Sequence, residues 1–179
     1  MTETKRIKPI NDKSMLYALC SMLLIIAVDQ ITKGYFLYLL TGGIPLYGRA
    51  FDIVPFPFLM SRVTSFFNFV FTWNPGTSFS LFRNLGEAAP LALIVITGVI
   101  IGFFAHMLYK SKDRWERVAL TLIVGGALGN LVDRIRFGAV VDFLDFHYAG
   151  WHWPAFNFAD ICITAGVMVF IAHWIFRKK

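Results

Sequence analysis

Charge is scarce in this sequence. Asp, Glu, Lys and Arg make up 16% of its 179 residues, against about 25% in soluble domains. That composition excludes an ordinary soluble domain. Cysteine is nearly missing: Cys20 and Cys162 both lie in apolar stretches, and neither has a neighbour at metal-ligand spacing. A disulfide framework is excluded, and both are expected as small buried apolar side chains. There is no HExxH, and the four histidines are scattered, His147 and His152 in an expected loop, so no metal site is expected. No glycine-rich phosphate loop, internal repeat or low-complexity segment occurs. Ser78 and Ser80 follow Gly76, but no histidine is expected near them, and Asn74-Pro75-Gly76 explains the glycine as a turn. That argues against a serine nucleophile.

What remains is apolar. Hydrophobic residues make up 57% of the chain, and mean hydropathy is +0.62. The net charge of +6 could suggest nucleic acid. The basic residues, however, fall in short runs beside apolar stretches, which is a membrane-topology pattern, and no nucleic-acid partner is expected.

A bilayer core of about 30 Å takes about 20 helical residues to cross. Residues 15–40, 89–109, 118–132 and 158–176 fit or nearly fit that length. The expected fold is one integral membrane domain, an all-α core of four transmembrane helices with a small β-sheet. The third stretch rises only about 22 Å. Its end, at Asn130 and Asp133, is expected below the membrane surface, with residues 133–157 as an outer loop. Lys5, Arg6, Lys8 and Lys13 ahead of the first stretch resemble the front of a signal peptide. No small-x-small cleavage site follows, and the run continues past Asp29 and Lys33, so an uncleaved first helix is expected.

Orientation follows from Lys and Arg. The N-terminal tail has four, residues 110–117 four and the C-terminal tail three, so eleven of seventeen fall on one side of a four-helix protein. The positive-inside rule makes both termini cytoplasmic. The outer segment 63–73 reads VTSFFNFVFTW, with Phe67, Phe69, Phe71 and Trp73 at period two. It is expected as a strand, with Asn74-Pro75-Gly76 turning into a return strand over 77–82. Residues 138–146 also read as a strand. The expected sheet is an antiparallel cradle over about 63–82 whose aromatic face rests on the membrane surface. Trp151, Trp153 and Phe156 suit an interfacial belt.

Five aspartates, Asp29, Asp133, Asp142, Asp145 and Asp160, lie within or just outside the outer halves of these spans. A carboxylate at membrane depth costs about 2.5–3.5 kcal/mol on insertion scales, so each needs a reason. Asp29 and Lys33 share a helix face at spacing four, either as a satisfied ion pair or in a substrate-orienting or sheet-anchoring role. Asn130, Asp133 and Arg134 either close a helix end as a polar network or serve a site. Asp142 and Asp145 are three apart on a strand and point to opposite faces. Asp142 shares its face with Val140, Leu144 and Phe146, which would desolvate it and raise its pKa. Asn157 reads as an N-cap, with Asp160 at the third helical position where the helix dipole keeps it ionised. A protonated and an ionised aspartate side by side form an acid–base pair. Membrane aspartates also build proton relays, so a non-enzymatic transport protein is the competing reading, and a structural subunit with polar networks a third.

The motifs resemble those of the lipoprotein signal peptidases (signal peptidase II), membrane aspartyl proteases of the bacterial inner membrane. They are Asp29-Gln-Ile-Thr-Lys33, Asn74-Pro-Gly76 with Phe79-Ser80, Gly126-Ala-Leu-Gly-Asn130-Leu-Val-Asp133-Arg134, Val141-Asp142-Phe143-Leu-Asp145-Phe146 and Phe156-Asn157-Phe-Ala159-Asp160. The resemblance spans nearly the whole chain. It implies that Asp142 and Asp160 are catalytic and that Asp29, Lys33, Asn74, Gly76, Asn130, Asp133, Arg134 and Asn157 support substrate binding. It further implies prolipoprotein substrates bearing diacylglyceryl-cysteine, cut just before that cysteine, with membrane lipid as surroundings, no cofactor or metal, and a monomer with its site near the outer face. Three departures bear on the substrate cradle rather than the catalytic pair. Ser78 stands where an alanine is usual, Pro75 enters the Asn-x-Gly turn, and residues 42–62 form a longer segment.

Overall fold

The computed structural model describes residues 12–42, 48, 50, 58–76 and 88–177. Four helices, α1 (Asp12–Thr41), α2 (Ala89–Lys110), α3 (Arg114–Phe137) and α4 (Phe158–Arg177), are each long and apolar enough to cross a membrane. Four strands, β1 (Phe58–Arg62), β2 (Phe67–Asn74), β3 (Val140–Tyr148) and β4 (Trp151–His152), form a sheet in that order. The architecture is a membrane all-α core with a small antiparallel sheet.

Helix α3 is the hub. Of its apolar window 56% is covered by protein, against 6% for α2. Outward faces of the other helices are apolar without being buried, because lipid rather than protein faces them. Cys20 accordingly is exposed on α1, contrary to the buried side chain expected, while Cys162 is buried. Two glycines let α3 approach its neighbours closely. A Cβ at Gly126 would lie 2.5 Å from the Ala159 carbonyl oxygen, and one at Gly129 would lie 2.6 Å from Asp29 Oδ2.

The third helix is longer than the expected 118–132. Asp113 caps its start, accepting from the Trp115 and Glu116 amides at 2.8 and 3.2 Å. Gly138, at φ 75°, ends it through an N–H to the Arg134 carbonyl. Asn130 and Asp133 therefore lie inside the helix, Arg134 falls in its last turn, and residues 133–137 belong to that helix rather than to an outer loop. The polar stretch stays helical because partners on other elements satisfy its side chains.

The sheet also differs from expectation. The single strand expected over 63–73 is a hairpin: Val63 and Thr64 amides donate to the Phe67 carbonyl, and Thr64 Oγ1 accepts from the Phe66 amide. β2 pairs with β1 on one side and β3 on the other. The expected return strand 77–82, with Ser78 and Ser80, lies outside the described residues, as does most of 42–57. The aromatic side chains of β2 meet protein: Phe69 packs on Phe36 of α1, and Trp73 on Phe137 of α3. His147 and His152 are strand residues paired across β3 and β4 and not loop residues.

Two cores mark the two ends of the molecule. Ala18, Met22, Leu108, Leu120 and Val124 pack together near the α2–α3 connection. Leu37, Phe71, Trp73, Phe137, Ala139 and Val141 pack beneath the sheet.

Candidate active site

Beside the sheet-end core lies a continuous network of buried polar groups. It begins on α1, where Lys33 is 3% exposed and Asp29 fully buried. Lys33 Nζ lies 2.8 Å from Asp29 Oδ2, 2.9 Å from Asp133 Oδ2 and 2.9 Å from Asn130 Oδ1. An ammonium has three donors, and each finds an acceptor. Asp29 Oδ1 accepts the Ala159 amide at 3.0 Å, so α1 satisfies a free N–H at the start of α4. Asp133 Oδ2 also accepts the Val141 amide at 3.1 Å, which ties α3 to β3.

This cluster orients two asparagines. Because Lys33 only donates, Asn130 must turn Oδ1 towards it, and Nδ2 is left to donate to Asp160 Oδ1 at 2.8 Å. Asn157 Nδ2 donates to that same Asn130 Oδ1 at 3.1 Å and to Asp142 Oδ1 at 2.7 Å. Asn157 Oδ1 accepts the Asp160 amide at 3.0 Å, and Asp160 Oδ2 accepts the Asn157 amide at 3.2 Å. That reciprocal pair is a capping box at the start of α4. It places the Asp160 carboxylate in the first turn, at the positive end of the helix dipole.

Asp142 is only 1% exposed. Its second oxygen accepts from Asn74 Nδ2 at 3.0 Å. The direction of that amide is fixed as well, because Asn74 Oδ1 is occupied by the Gly76 amide at 2.9 Å. Gly76, at φ +74°, holds a turn that an L side chain would strain. Burial first, and then the neighbouring negative charge of Asp160, push the Asp142 carboxyl up to about 7. The hydrogen bonds from Asn74 and Asn157 oppose that rise. The Arg134 guanidinium lies within electrostatic reach of Asp160, Asp142 and Asp133. Its hydrogen bond to the Asn130 carbonyl is long at 3.5 Å, and Nε is buried without a partner among the described residues.

All ten residues singled out from the sequence thus lie in or beside one network. Asp145 does not join it. Its carboxylate is held instead by Asn68 Nδ2 at 2.7 Å and His152 Nδ1 at 2.9 Å. Sequence reasoning missed Gln30, whose amide donates to Asp133 Oδ1 at 2.9 Å and whose Oε1 accepts from Arg136 at 2.9 Å. The signal was there: a glutamine within an apolar span, beside Asp29.

A groove of about 510 Å³ opens beside Asp160. Ile161, Thr164, Ala165 and Met168 line it along one stripe of α4, and Trp153–Phe156 form its head. A carboxylate at the head of an apolar groove suits a ligand that is part apolar and part polar.

The comparisons with known proteins agree with this picture. The family described as Signal peptidase (SPase) II matches residues 21–176. A lipoprotein signal peptidase of Anaplasma phagocytophilum (strain HZ) is 43% identical over 148 residues, covering 83% of this chain and 85% of the relative. One of Serratia marcescens is 44% identical over 117 residues, covering 65% and 69%. A solved bacterial membrane enzyme superposes with a TM-score of 0.67 at 23% identity, over 91% of this chain and 90% of that one. This last likeness speaks for the fold alone, whereas the sequence matches cover the helices and the sheet-end network together. By those matches the chain belongs to the signal peptidase II family, a family of membrane-embedded peptidases.

Proposed function

We propose that this protein is an aspartyl endopeptidase that removes the signal peptide from diacylglyceryl-modified prolipoproteins, cutting before the lipidated cysteine. The observation that carries the reading is the single side chain of Asn157, which bonds Asp142 through Nδ2 and caps Asp160 through Oδ1. Asp142, desolvated and within reach of the Asp160 charge, keeps its proton up to about 7 and is the acid. Asp160, at the positive end of the helix dipole, is the base.

Water then attacks the scissile carbonyl carbon while Asp160 takes its proton. Asp142 gives its proton to the carbonyl oxygen, which leaves a neutral tetrahedral diol. Collapse reverses those transfers: Asp142 recovers a proton from the diol, Asp160 delivers one to the departing nitrogen, and the C–N bond breaks. The products are the signal peptide with a free carboxyl end and the lipidated cysteine with a free amine. Every proton is accounted for by the dyad and one water, and Asn74, Asn130 and Asn157 hold the two carboxyls in place.

Orientation follows the charge pattern. The four basic residues between Lys110 and Arg117 lie at the α2–α3 connection, the end of the bundle away from the sheet. The positive-inside rule sets that end, and both termini, in the cytoplasm. The dyad then faces the outer side of the inner membrane, and the acyl chains stay in lipid beside α4.

The test uses purified monomeric protein, a lipidated prolipoprotein and a chelator. Wild type is expected to cleave, and Asp142→Asn and Asp160→Asn to insert into membrane yet release no signal peptide. Normal cleavage by both variants would refute the dyad.

A further inference from the structure

At the end of the bundle away from the sheet, α1 and α3 leave a groove of about 310 Å³ between them. Its lining is graded. Ser14 and Tyr17, from the start of α1, and Arg114 and Arg117, from the first turn of α3, make a polar mouth. Ile25, Val118 and Leu122 continue it along both helices as an apolar channel. Ser14 and Ile25 are eleven positions apart on α1, a rise of about 16 Å. One leaflet contributes about 15 Å to the hydrocarbon core, so the groove runs the depth of a leaflet.

The charge at the mouth has one sign. Among the described residues no acid lines the groove, and neither arginine has a carboxylate within ion-pair distance. The neighbouring acids are engaged elsewhere. Asp113 caps α3 and pairs with His173 at 3.2 Å, and Glu116 accepts from Ser111 Oγ at 2.8 Å. Both line a separate cavity of about 420 Å³, together with Lys110 and Lys112. Trp115 marks the depth: it is 48% exposed, and the Arg114 guanidinium lies 4.9 Å from the centre of its ring. An exposed indole at the end of a membrane span sits at headgroup level. The two guanidiniums therefore stand where lipid phosphates lie, with the apolar channel leading towards the bilayer centre.

We propose that this groove is a site for one anionic phospholipid. Its phosphate sits on Arg114 and Arg117, whose guanidinium forks suit phosphate oxygens, and an acyl chain lies along Ile25, Val118 and Leu122. Basic clefts between membrane helices on the cytoplasmic side bind such headgroups. A soluble anion would leave the leaflet-deep channel unfilled. With the basic end of the bundle in the cytoplasm, the lipid belongs to the inner leaflet. There it clasps α1 to α3, the helices that Lys33 and Asp133 join nearer the dyad.

The test needs neither cleavage nor a known orientation. Purified full-length protein in neutral detergent is titrated with phosphatidylglycerol or phosphatidylcholine of the same acyl chains, and bound lipid is counted by native mass spectrometry. Wild type is expected to hold one phosphatidylglycerol in clear preference to phosphatidylcholine. Arg114→Gln with Arg117→Gln should cut that preference by about tenfold or more, at about fivefold for each charge. Lys110→Gln with Lys112→Gln removes the same charge from the same connection but outside the groove, and should change the preference by about twofold or less. Equal losses in the two pairs, or no preference in wild type, overturn the site. Val118→Trp keeps both arginines and fills the channel at a position 46% exposed, where the fold tolerates bulk. It should weaken phosphatidylglycerol binding too, and unchanged binding overturns the placement of the acyl chain. Phosphatidylglycerol should raise the melting temperature of wild type, as a ligand of the folded state does. An equal rise with inorganic phosphate alone would make the occupant a soluble anion and overturn the lipid.

Discussion

Asn74 Nδ2 donates to Asp142 Oδ2 at 3.0 Å across a strand pair whose register slips by one residue. The slip explains how two aspartates can each meet an asparagine. Asp142 and Asp145 are three apart on β3, and side chains alternate along a strand, so they face opposite ways. Their partners on β2, Asn74 and Asn68, are six apart and would face the same way on a regular strand. Phe69 pairs with Leu144 and Thr72 with Asp142, so β2 carries one extra residue between them. That bulge turns an even spacing into an odd one and sends Asn74 to Asp142 and Asn68 to Asp145.

The first prediction concerns pH. With Asp142 raised to about 7 and acting as the acid, kcat/KM should fall as pH rises through about 7. Asn74 favours the ionised form through its hydrogen bond, so Asn74→Ala should move this limb to higher pH while lowering the maximum rate. A limb that stays in place, or moves down, would refute the pairing. Stability carries the same sign. Between the usual carboxylate range and about 7 the unfolded chain loses this proton while the folded chain keeps it, so the Asp142 contribution falls with rising pH and levels off above.

Asp145 should behave unlike Asp142. Asp145→Asn loses the anion beside His152 but leaves the dyad and its asparagines intact. Cleavage of a substrate ending at the cysteine should stay within about tenfold of wild type, as expected for loss of about 1 kcal/mol, with a lower melting temperature. A rate loss as deep as that of Asp142→Asn would show that the two carboxylates belong to one site.

How legible this was depended on whether a residue's partners were local. The capping box of Asn157 and Asp160 lies within four residues, and spacing alone shows it. Asp29 and Lys33 at spacing four are equally local. The true length of α3 was hidden because Asn130, Asp133 and Arg134 read as the polar end of a span. Two partners of that stretch, Lys33 and Gln30, come from α1, 97 and 103 residues away, and a third, the Val141 amide, from the strand that follows. The β1–β2 turn was hidden by its own composition, since Val63 and Phe66 at its ends are apolar and read as strand. The bulge left no mark either: an aromatic residue at every second position, 67 to 73, suggested an unbroken strand.

Lys33 should matter for folding before it matters for chemistry. Lys33→Met strands the Asp29 and Asp133 carboxylates, at 0% and 1% exposure, without the ammonium that pairs them. Removing one partner of such a buried cluster costs about 3–5 kcal/mol. Thermal melting in detergent should show a large drop, and adding Asp29→Asn to the same chain should recover part of it. Unchanged melting would mean the cluster is solvated, and the account of α1 as an anchor for α3 and α4 would fail.

The contact between α3 and α4 sets the dyad in place, and glycine makes it possible. A Cβ at Gly126 would fall 2.5 Å from the Ala159 carbonyl oxygen, a backbone atom that cannot swing aside. Gly126→Ala must push the start of α4 outward, at about 1–3 kcal/mol of overpacking, and that start carries Asn157 and Asp160. Both melting temperature and kcat should fall, with KM for a substrate ending at the cysteine changing less. Gly102, on the lipid-facing side of α2, has nothing within 4 Å of a built Cβ. Gly102→Ala gains helix propensity without a clash, so its melting temperature should hold or rise and kcat should match wild type. If Gly126→Ala loses stability but keeps full kcat, the dyad does not depend on where α4 begins, and Asn157 alone, bonded to Asn130 and Asp142, sets its geometry.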